Sequence, residues 1–328
     1  MKLLVTGGAG FIGSHLVEAC LARGDEVAVL DCFDPYYARA CKERNLARVL
    51  AHPGFMGLHE IDIRDREGLR TVLDVHAPEA VVHLAALAGV RPSFDAPARY
   101  CEVNVTGTQI LLEELARAGT ARFVFASSSS VYGERPRGPF REDAEADRPL
   151  SPYGASKRAG ELIGHAMHSA YGLAVTCLRI FTAYGPRQRP DLALHKFARL
   201  ILQRKPIPIF GDGRAERDFT FVSDTVSGIL LALEREEGYA IYNLGRGAPL
   251  RLEDAIRGLE RALEMEAERS YLPPQPGDMP RTWASIEKAR RELGYEPGVS
   301  YEEGIRSFVA WLRAEDDRSA RPSGVVPG

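Results

Sequence analysis

Cysteine is sparse in this chain and shows no pairing pattern: Cys20, Cys32, Cys41, Cys101 and Cys177 are odd in number, scattered, and never spaced Cys-x-x-Cys. That excludes a disulfide framework and a thiolate metal site, so no metal is expected and a reducing cytoplasm is the expected compartment. An excess of positive charge is missing too. Lys and Arg total 42 against 45 Asp and Glu, a formal charge of -3, which provides no field for neutralising a phosphate backbone and excludes nucleic acid as a partner. Long apolar runs are absent: MKLLVTGGAG meets its glycines too early for a signal peptide, and the apolar stretch from Ala80 to Val90 is too short to span a bilayer. A soluble protein with no membrane partner is expected. Lysine itself is rare, six of the 42 basic residues, and Lys157 is the only one between Lys42 and Lys196.

What is there describes a large α/β protein. With 328 residues, 45% of them hydrophobic and 27% charged, the chain can bury a core as one large domain or as two sharing a cleft. β-rich runs at 2–6 (KLLVT), 26–31 (EVAVLD), 57–62 (GLHEID), 79–86 (EAVVHLAA), 122–128 (RFVFASS) and 173–181 (LAVTCLRIF) alternate with stretches of helical periodicity, among them a helix from about Tyr153 to Tyr171. That alternation predicts a doubly wound parallel sheet of the Rossmann type. From Thr182 onward, Pro- and Gly-rich connections separate shorter helices, which predicts a smaller mixed α/β domain on the carboxyl edge of the sheet. Residues 1–181, with a return segment at about 217–245, are assigned to the first domain, and 182–216 and 246–313 to the second. The polar stretch 314–328, punctuated by proline and glycine, reads as a disordered tail.

Gly7, Gly10 and Gly13 fall between the first strand and the first helix, and GAGFIG (8–13) satisfies G-x-G-x-x-G. Glycines there permit a tight turn and close approach of backbone to a pyrophosphate, with the helix N-terminus facing the anion. Asp31 closes the second strand, where a carboxylate accepts both hydroxyls of an adenosine ribose and repels a 2′-phosphate, so NAD is expected rather than NADP. Asp62, Ala85, Ala86 and the serines of ASSSSVYG (126–133) end later strands on the same sheet edge, where ligands bind in such folds. Asp62 would take the adenine amino group; the two alanines would serve either as room for a dinucleotide or as core.

Tyr153 and Lys157 stand four residues apart and so share a helix face. An ammonium near a phenol favours the phenolate, lowering its pKa from about 10 towards neutrality, and such a tyrosine is a general base for an alcohol. With a serine beside NAD, the pair makes a hydride-transfer site. The alternative for the serines is a turn whose hydroxyls cap local backbone.

GGAGFIG, Asp31, ASSSSVYG, Tyr153-x-x-x-Lys157 and LRIFTAYGP (178–186), in that order, resemble the extended short-chain dehydrogenase/reductase family from Met1 to about Arg313. LAALAGVRPS (84–93), GPRQRPDLALHKF (185–197) and QPGDMP (275–280) are most similar to its nucleotide-sugar 4-epimerases, in particular those acting on UDP-glucuronate. The resemblance implies NAD-dependent C4 epimerisation of a UDP-sugar, UDP-glucuronate first and UDP-glucose or UDP-galactose next, with UDP-glucuronate decarboxylation behind them. It implies that Ser128 bonds the sugar 4-oxygen, Tyr153 takes its proton, and Lys157 holds the nicotinamide ribose. Asn104 would organise the cofactor site from a neighbouring helix, and Phe11, Ile12, Ile63, Leu84, Ser127 and Phe181 would also contact NAD. Arg217 and Asp278 match positions that grip the UDP diphosphate and uridine ribose. Gln275 replaces an arginine common in hexose epimerases, and Cys32 an asparagine often seen after the ribose aspartate.

For a uronate, Arg189 is expected at the C6 carboxylate, seven residues beyond Thr182, which the resemblance places beside the nicotinamide end, with Thr182, Ser129 and Ser130 as hydroxyl donors; the alternative is a surface or diphosphate-binding arginine, and Arg187 competes for the role. A clamp is needed because the 4-keto intermediate is a β-keto acid, which loses CO2 when the carboxylate bond aligns with the carbonyl π system. A sugar 4,6-dehydratase fits less well, since Ser129 and Ser130 stand where its acidic pair belongs. A dinucleotide-sensing binding protein would commonly lack the Tyr153/Lys157 pair. A homodimer joined through the helices near 98–118 and 153–171 is implied as well.

Overall fold

Short apolar runs carry seven parallel strands into one sheet: β1 (Lys2–Thr6), β2 (Glu26–Leu30), β3 (Phe55–His59), β4 (Ala80–His83), β5 (Arg122–Ser128), β6 (Ala174–Ile180) and β7 (Tyr239–Leu244), ordered β7-β6-β5-β4-β1-β2-β3. The computed structural model describes residues 1–133, 138–236, 238–275 and 277–320, of which 318–320 by backbone alone. Both faces of the sheet are covered, as a parallel sheet requires. Leu3 and Val5 face a core shared with α1 (Phe11–Arg23) and α7 (Val222–Leu233), through Leu16, Val17, Val226 and Ile229. Leu4, one residue out of phase, joins the opposite core under α3 (Arg66–His76), α4 (Thr108–Ala118) and α5 (Pro152–Tyr171).

The strand order reverses between β1 and β4, which opens a crevice at their carboxyl ends. The turn leaving β1 needs glycine at two places. Gly7 has φ +70, and a Cβ on it would lie 2.7 Å from the Ala85 nitrogen; a Cβ on Gly13 would collide with the Gly7 carbonyl oxygen.

A second core lies beyond Thr182. It gathers Leu194, Phe197 and Ile201 of α6 (Ala193–Leu202), Ile256 and Leu259 of α8 (Leu252–Leu263), and Ile305, Phe308 and Leu312 of α9 (Tyr301–Ala320). Short strand pairs edge this lobe, including Ile207–Phe210 with Arg269–Leu272. One expectation is corrected here. The helix α9 runs through Ala320, so residues 314–320 are not a disordered tail: Glu315 pairs with Arg44 at 3.1 Å and Asp316 pairs with Arg199, which ties the polar end of the helix to its neighbours. The rest of the expected tail, 321–328, lies outside the described residues. Among the described residues, no helix is long and apolar enough to cross a membrane.

Candidate active site

A cleft of about 470 Å³ runs along the carboxyl ends of β1, β2, β4, β5 and β6. Every residue singled out from the sequence as a site residue lines it except Asn104, Arg217, Gln275 and Asp278. At the β1–β2 end, the buried Asp31 carboxylate accepts the Ala9 N–H at 3.2 Å and the Phe33 N–H at 2.9 Å. It also faces Lys42 Nζ at 3.3 Å. Lys42 comes from α2 (Arg39–Leu46) and sits near the rings of Tyr37 and Phe33. Sequence reasoning missed it, although the rarity of lysine was a signal. Asp62 also lines the cleft, but Arg64 already occupies both its oxygens, at 2.9 and 2.7 Å, and holds its carboxyl below the usual range.

The other end of the cleft is built by α5. Ser151 caps that helix by accepting the Gly154 N–H at 3.0 Å, and Pro152 opens its first turn. Tyr153, Lys157 and Glu161 therefore fall on one face, toward β5. Lys157 Nζ donates to the Ala126 carbonyl at 2.8 Å and lies 4.9 Å from the Phe125 ring centroid. Ser128, last residue of β5, accepts the Ser130 N–H at 3.2 Å. Its hydroxyl also bonds the Tyr153 oxygen.

The electrostatics correct the sequence expectation for this pair. Burial holds the Tyr153 phenol above its ordinary pKa, and the charges opposing that shift are the Ser128 hydroxyl dipole and the Arg189 guanidinium, not Lys157. Burial brings Lys157 itself down to about 7, so near neutrality it is only partly an ammonium. Arg189 is locked beside the cleft by Asp191, with Nε–Oδ1 at 2.9 Å and Nη2–Oδ2 at 2.8 Å, and Tyr36 donates to the same carboxylate at 3.1 Å. Arg187 turns the opposite way, pairs with Glu18 at 2.5 Å and does not line the cleft.

Four expected residues are placed elsewhere. Asn104 is buried outside the cleft with its amide bonded to the Leu87 N–H, the Leu87 carbonyl and Ser156 Oγ, so it holds the loop after β4. Through Leu87, which lines the cleft, it braces the site from the neighbouring helix. Arg217 and Asp278 do come within electrostatic reach of each other, and Arg91, which repels Arg217, donates to Asp278 at 2.7 Å. They form a cluster beside Val90, against which Gly277 packs. Gln275 contributes only its carbonyl, to the Asp278 N–H at 3.2 Å. Ser127 lines the cleft, yet its hydroxyl is turned to Glu161 at 2.6 Å.

Glu161 is the second residue that sequence reasoning missed. Fully buried, it accepts two bonds from Arg179 of β6, both at 2.8 Å, and one from Arg158 at 2.8 Å. The continued four-residue spacing after Lys157 was the available signal. On the β1 side, His83 bridges Thr6 at 2.7 Å and Thr108 at 3.0 Å, and burial lowers its pKa to about 3, so it is a neutral spacer behind the glycine turn.

Comparison with known proteins agrees with this geometry. Residues 3–245 match the profile of the NAD dependent epimerase/dehydratase family. A UDP-glucuronate 4-epimerase of Thermodesulfobacterium geofontis is 41% identical over 94% of this chain and 95% of its own length. The crystal structure of UDP-glucuronic acid 4-epimerase from Bacillus cereus, in complex with UDP-glucuronic acid and NAD, superposes with a TM-score of 0.91 at 37% identity, covering 96% of this chain and 100% of that one. The UDP-glucose 4-epimerase of Thermotoga maritima gives 0.88 at 34% identity, covering 96% and 99%. With its glycine turn, its acidic β2 terminus and its Ser128–Tyr153–Lys157 end, the chain belongs to the NAD dependent epimerase/dehydratase family.

Proposed function

We propose that the protein interconverts UDP-glucuronate and UDP-galacturonate by oxidation and re-reduction at C4. The observation that carries this reading is Arg189, a cationic fork fixed at the Tyr153 end of the cleft, where Ser129, Ser130 and Thr182 supply hydroxyls. The residues present fit a dinucleotide: Gly7 and Gly13 leave a cradle that a Cβ would fill, and Asp31 sits at the ribose position. When bound, NAD+ supplies a reversible hydride acceptor for C4 and a positive charge near the phenol.

Tyr153 is the proton acceptor for the 4-hydroxyl, and Ser128, already bonded to the phenol oxygen, orients that hydroxyl. Lys157 is anchored to the Ala126 carbonyl, one helical turn from Tyr153, and presents its remaining donors to the cofactor ribose. Arg189 pairs with the C6 carboxylate through a charge-assisted contact. That contact keeps the carboxylate out of line with the C4 carbonyl while the 4-keto sugar turns over to present its other face. Arg91, Arg217 and Asp278, clustered beside Val90 at the edge of the cleft, would grip the UDP moiety.

Incubation with UDP-glucuronate, UDP-glucose and their 4-epimers, with separation of products, tests the reading; the uronates are expected to turn over fastest. Arg189→Ala is expected to cost the uronate roughly 10- to 100-fold more in kcat/KM than the hexose, the value of one charged hydrogen bond, or to release a decarboxylated pentose. Equal losses for both sugars would favour the hexose epimerase instead.

A further inference from the structure

Behind the loop at 186–190, on the side away from the cleft, lies a second cavity of about 530 Å³. It is walled by α1, α2, α6 and α9, and Arg189 is its one wall residue with a role in the chemistry proposed above. Five arginines face it against two glutamates. Four of the five are held by acids: Arg44 by Glu315, Arg187 by Glu18, Arg189 by Asp191 and Arg199 by Asp316. Arg48, exposed just beyond α2, has no ion pair among the described residues.

Two polar atoms of residues that wall this cavity are left over, buried just beneath its surface. Arg187 Nη1, a donor, and Gln188 Oε1, an acceptor, have no partner among the described residues. The Arg187 side chain is only 10% exposed and Gln188 4%. An unmade bond at such depth is costly, more so for a charged group, and calls for a partner that completes it. Arg187 also holds φ at 62°, a left-handed conformation that a non-glycine residue keeps only when its surroundings impose it, most often at ligand clamps. The surroundings here are two histidines: His15 bonds the Pro186 carbonyl at 2.9 Å and His195 the Gln188 carbonyl at 2.6 Å.

We propose that this cavity binds a small phosphorylated anion, with Arg187 Nη1 and Arg48 donating to phosphate oxygens and Gln188 Oε1 accepting a hydrogen from the ligand. A phosphate suits the site better than a carboxylate because its several oxygens can engage two arginines that do not share one fork. The site is coupled to catalysis through its walls. Tyr37 and Arg189 border both cavities, and the strained Arg187 backbone is two residues from Arg189. Ligand here changes the affinity of the cleft for its substrate, and by linkage the reverse holds.

The test is equilibrium dialysis of inorganic pyrophosphate against the full-length protein already saturated with NAD+ and UDP, so that the catalytic cleft is blocked. One equivalent of pyrophosphate is expected to bind, and at least tenfold more weakly in Arg48→Gln and in Arg187→Met. Arg48 is exposed, so Arg48→Gln is expected to keep the wild-type melting temperature and decides the matter if Arg187→Met does not fold. No binding at millimolar pyrophosphate, or undiminished binding in Arg48→Gln, would overturn the proposal.

Discussion

Tyr153 lies under opposed influences: burial raises its pKa, while Ser128 and Arg189 draw it down. The phenol is thus poised to need a further positive charge in order to act as a base, which bound NAD+ would supply. Tyr153→Phe removes only the proton acceptor; it is expected to keep NAD binding and to lower kcat by about 10²- to 10⁴-fold, the usual worth of general-base catalysis. Near wild-type turnover would refute the role. Lys157 makes a separate case. Its folded pKa is depressed to about 7 from 10.5, so between those values the unfolded chain holds a proton that the folded chain does not, and raising the pH through that window favours folding. Below pH 7 both states carry the proton and the penalty for burying the charge is fully present. Lys157→Met is therefore expected to stabilise the cofactor-free protein at pH 7 by about 1–4 kcal/mol, and the gain should shrink as the pH approaches 10. Urea unfolding of both proteins at several pH values measures it; a gain constant with pH would show that the lysine is not the titrating group.

At the scale of elements, α5 is joined to β5 and β6 by one buried network. Glu161 receives Arg179, Arg158 and Ser127, and Arg179 lies 4.5 Å from the Tyr132 ring, whose hydroxyl donates to Asn243 of β7 at 2.7 Å. The helix that carries Tyr153 and the strand that carries Ser128 are thus held in register from behind. Glu161→Gln leaves Arg179 buried without its counter-charge and is expected to cost about 3–5 kcal/mol; a loss under 1 kcal/mol in urea unfolding would show the pair to be dispensable. The spacing after Lys157 could have placed Glu161 on the Tyr153 face, but its pairing was not legible, because Glu161 and Arg179 are individually ordinary charged residues whose meaning comes from their meeting across the sheet. Tyr153 and Lys157 were legible, since both belong to one helix and their spacing fixes their shared face. The same reasoning placed them in electrostatic contact, and that failed: one face does not determine where a flexible lysine ends, and Lys157 ends on the Ala126 carbonyl.

Over the whole molecule, the parallel sheet was readable because its central strands are short apolar runs buried on both faces, such as residues 3–6 and Ala80–His83. The second lobe was readable only as a smaller mixed α/β unit; its strand pairing was not, since its two- to four-residue strands pair at a distance in sequence, such as Glu216–Arg217 with Leu250–Arg251 and Arg281–Thr282. Arg91, Arg217 and Asp278 converge only through that pairing. One surface remains to be explained at this scale. The twenty-residue helix α5 lies on the outer flank of the sheet beside α4, and it leaves Leu162 56% exposed and Tyr171 66% exposed. We propose that α4 and α5 meet their copies about a twofold axis as a four-helix interface, which places Leu162 near the seam, and a standard interface of that kind covers about 800 Å² per partner. Leu162→Arg would set like charges against each other across the axis and is expected to convert a dimer to a monomer in light scattering, with the melting temperature lowered and the cleft residues untouched. A wild-type protein that scatters as a monomer at all concentrations, or a Leu162→Arg protein that remains dimeric, would remove α5 from the interface.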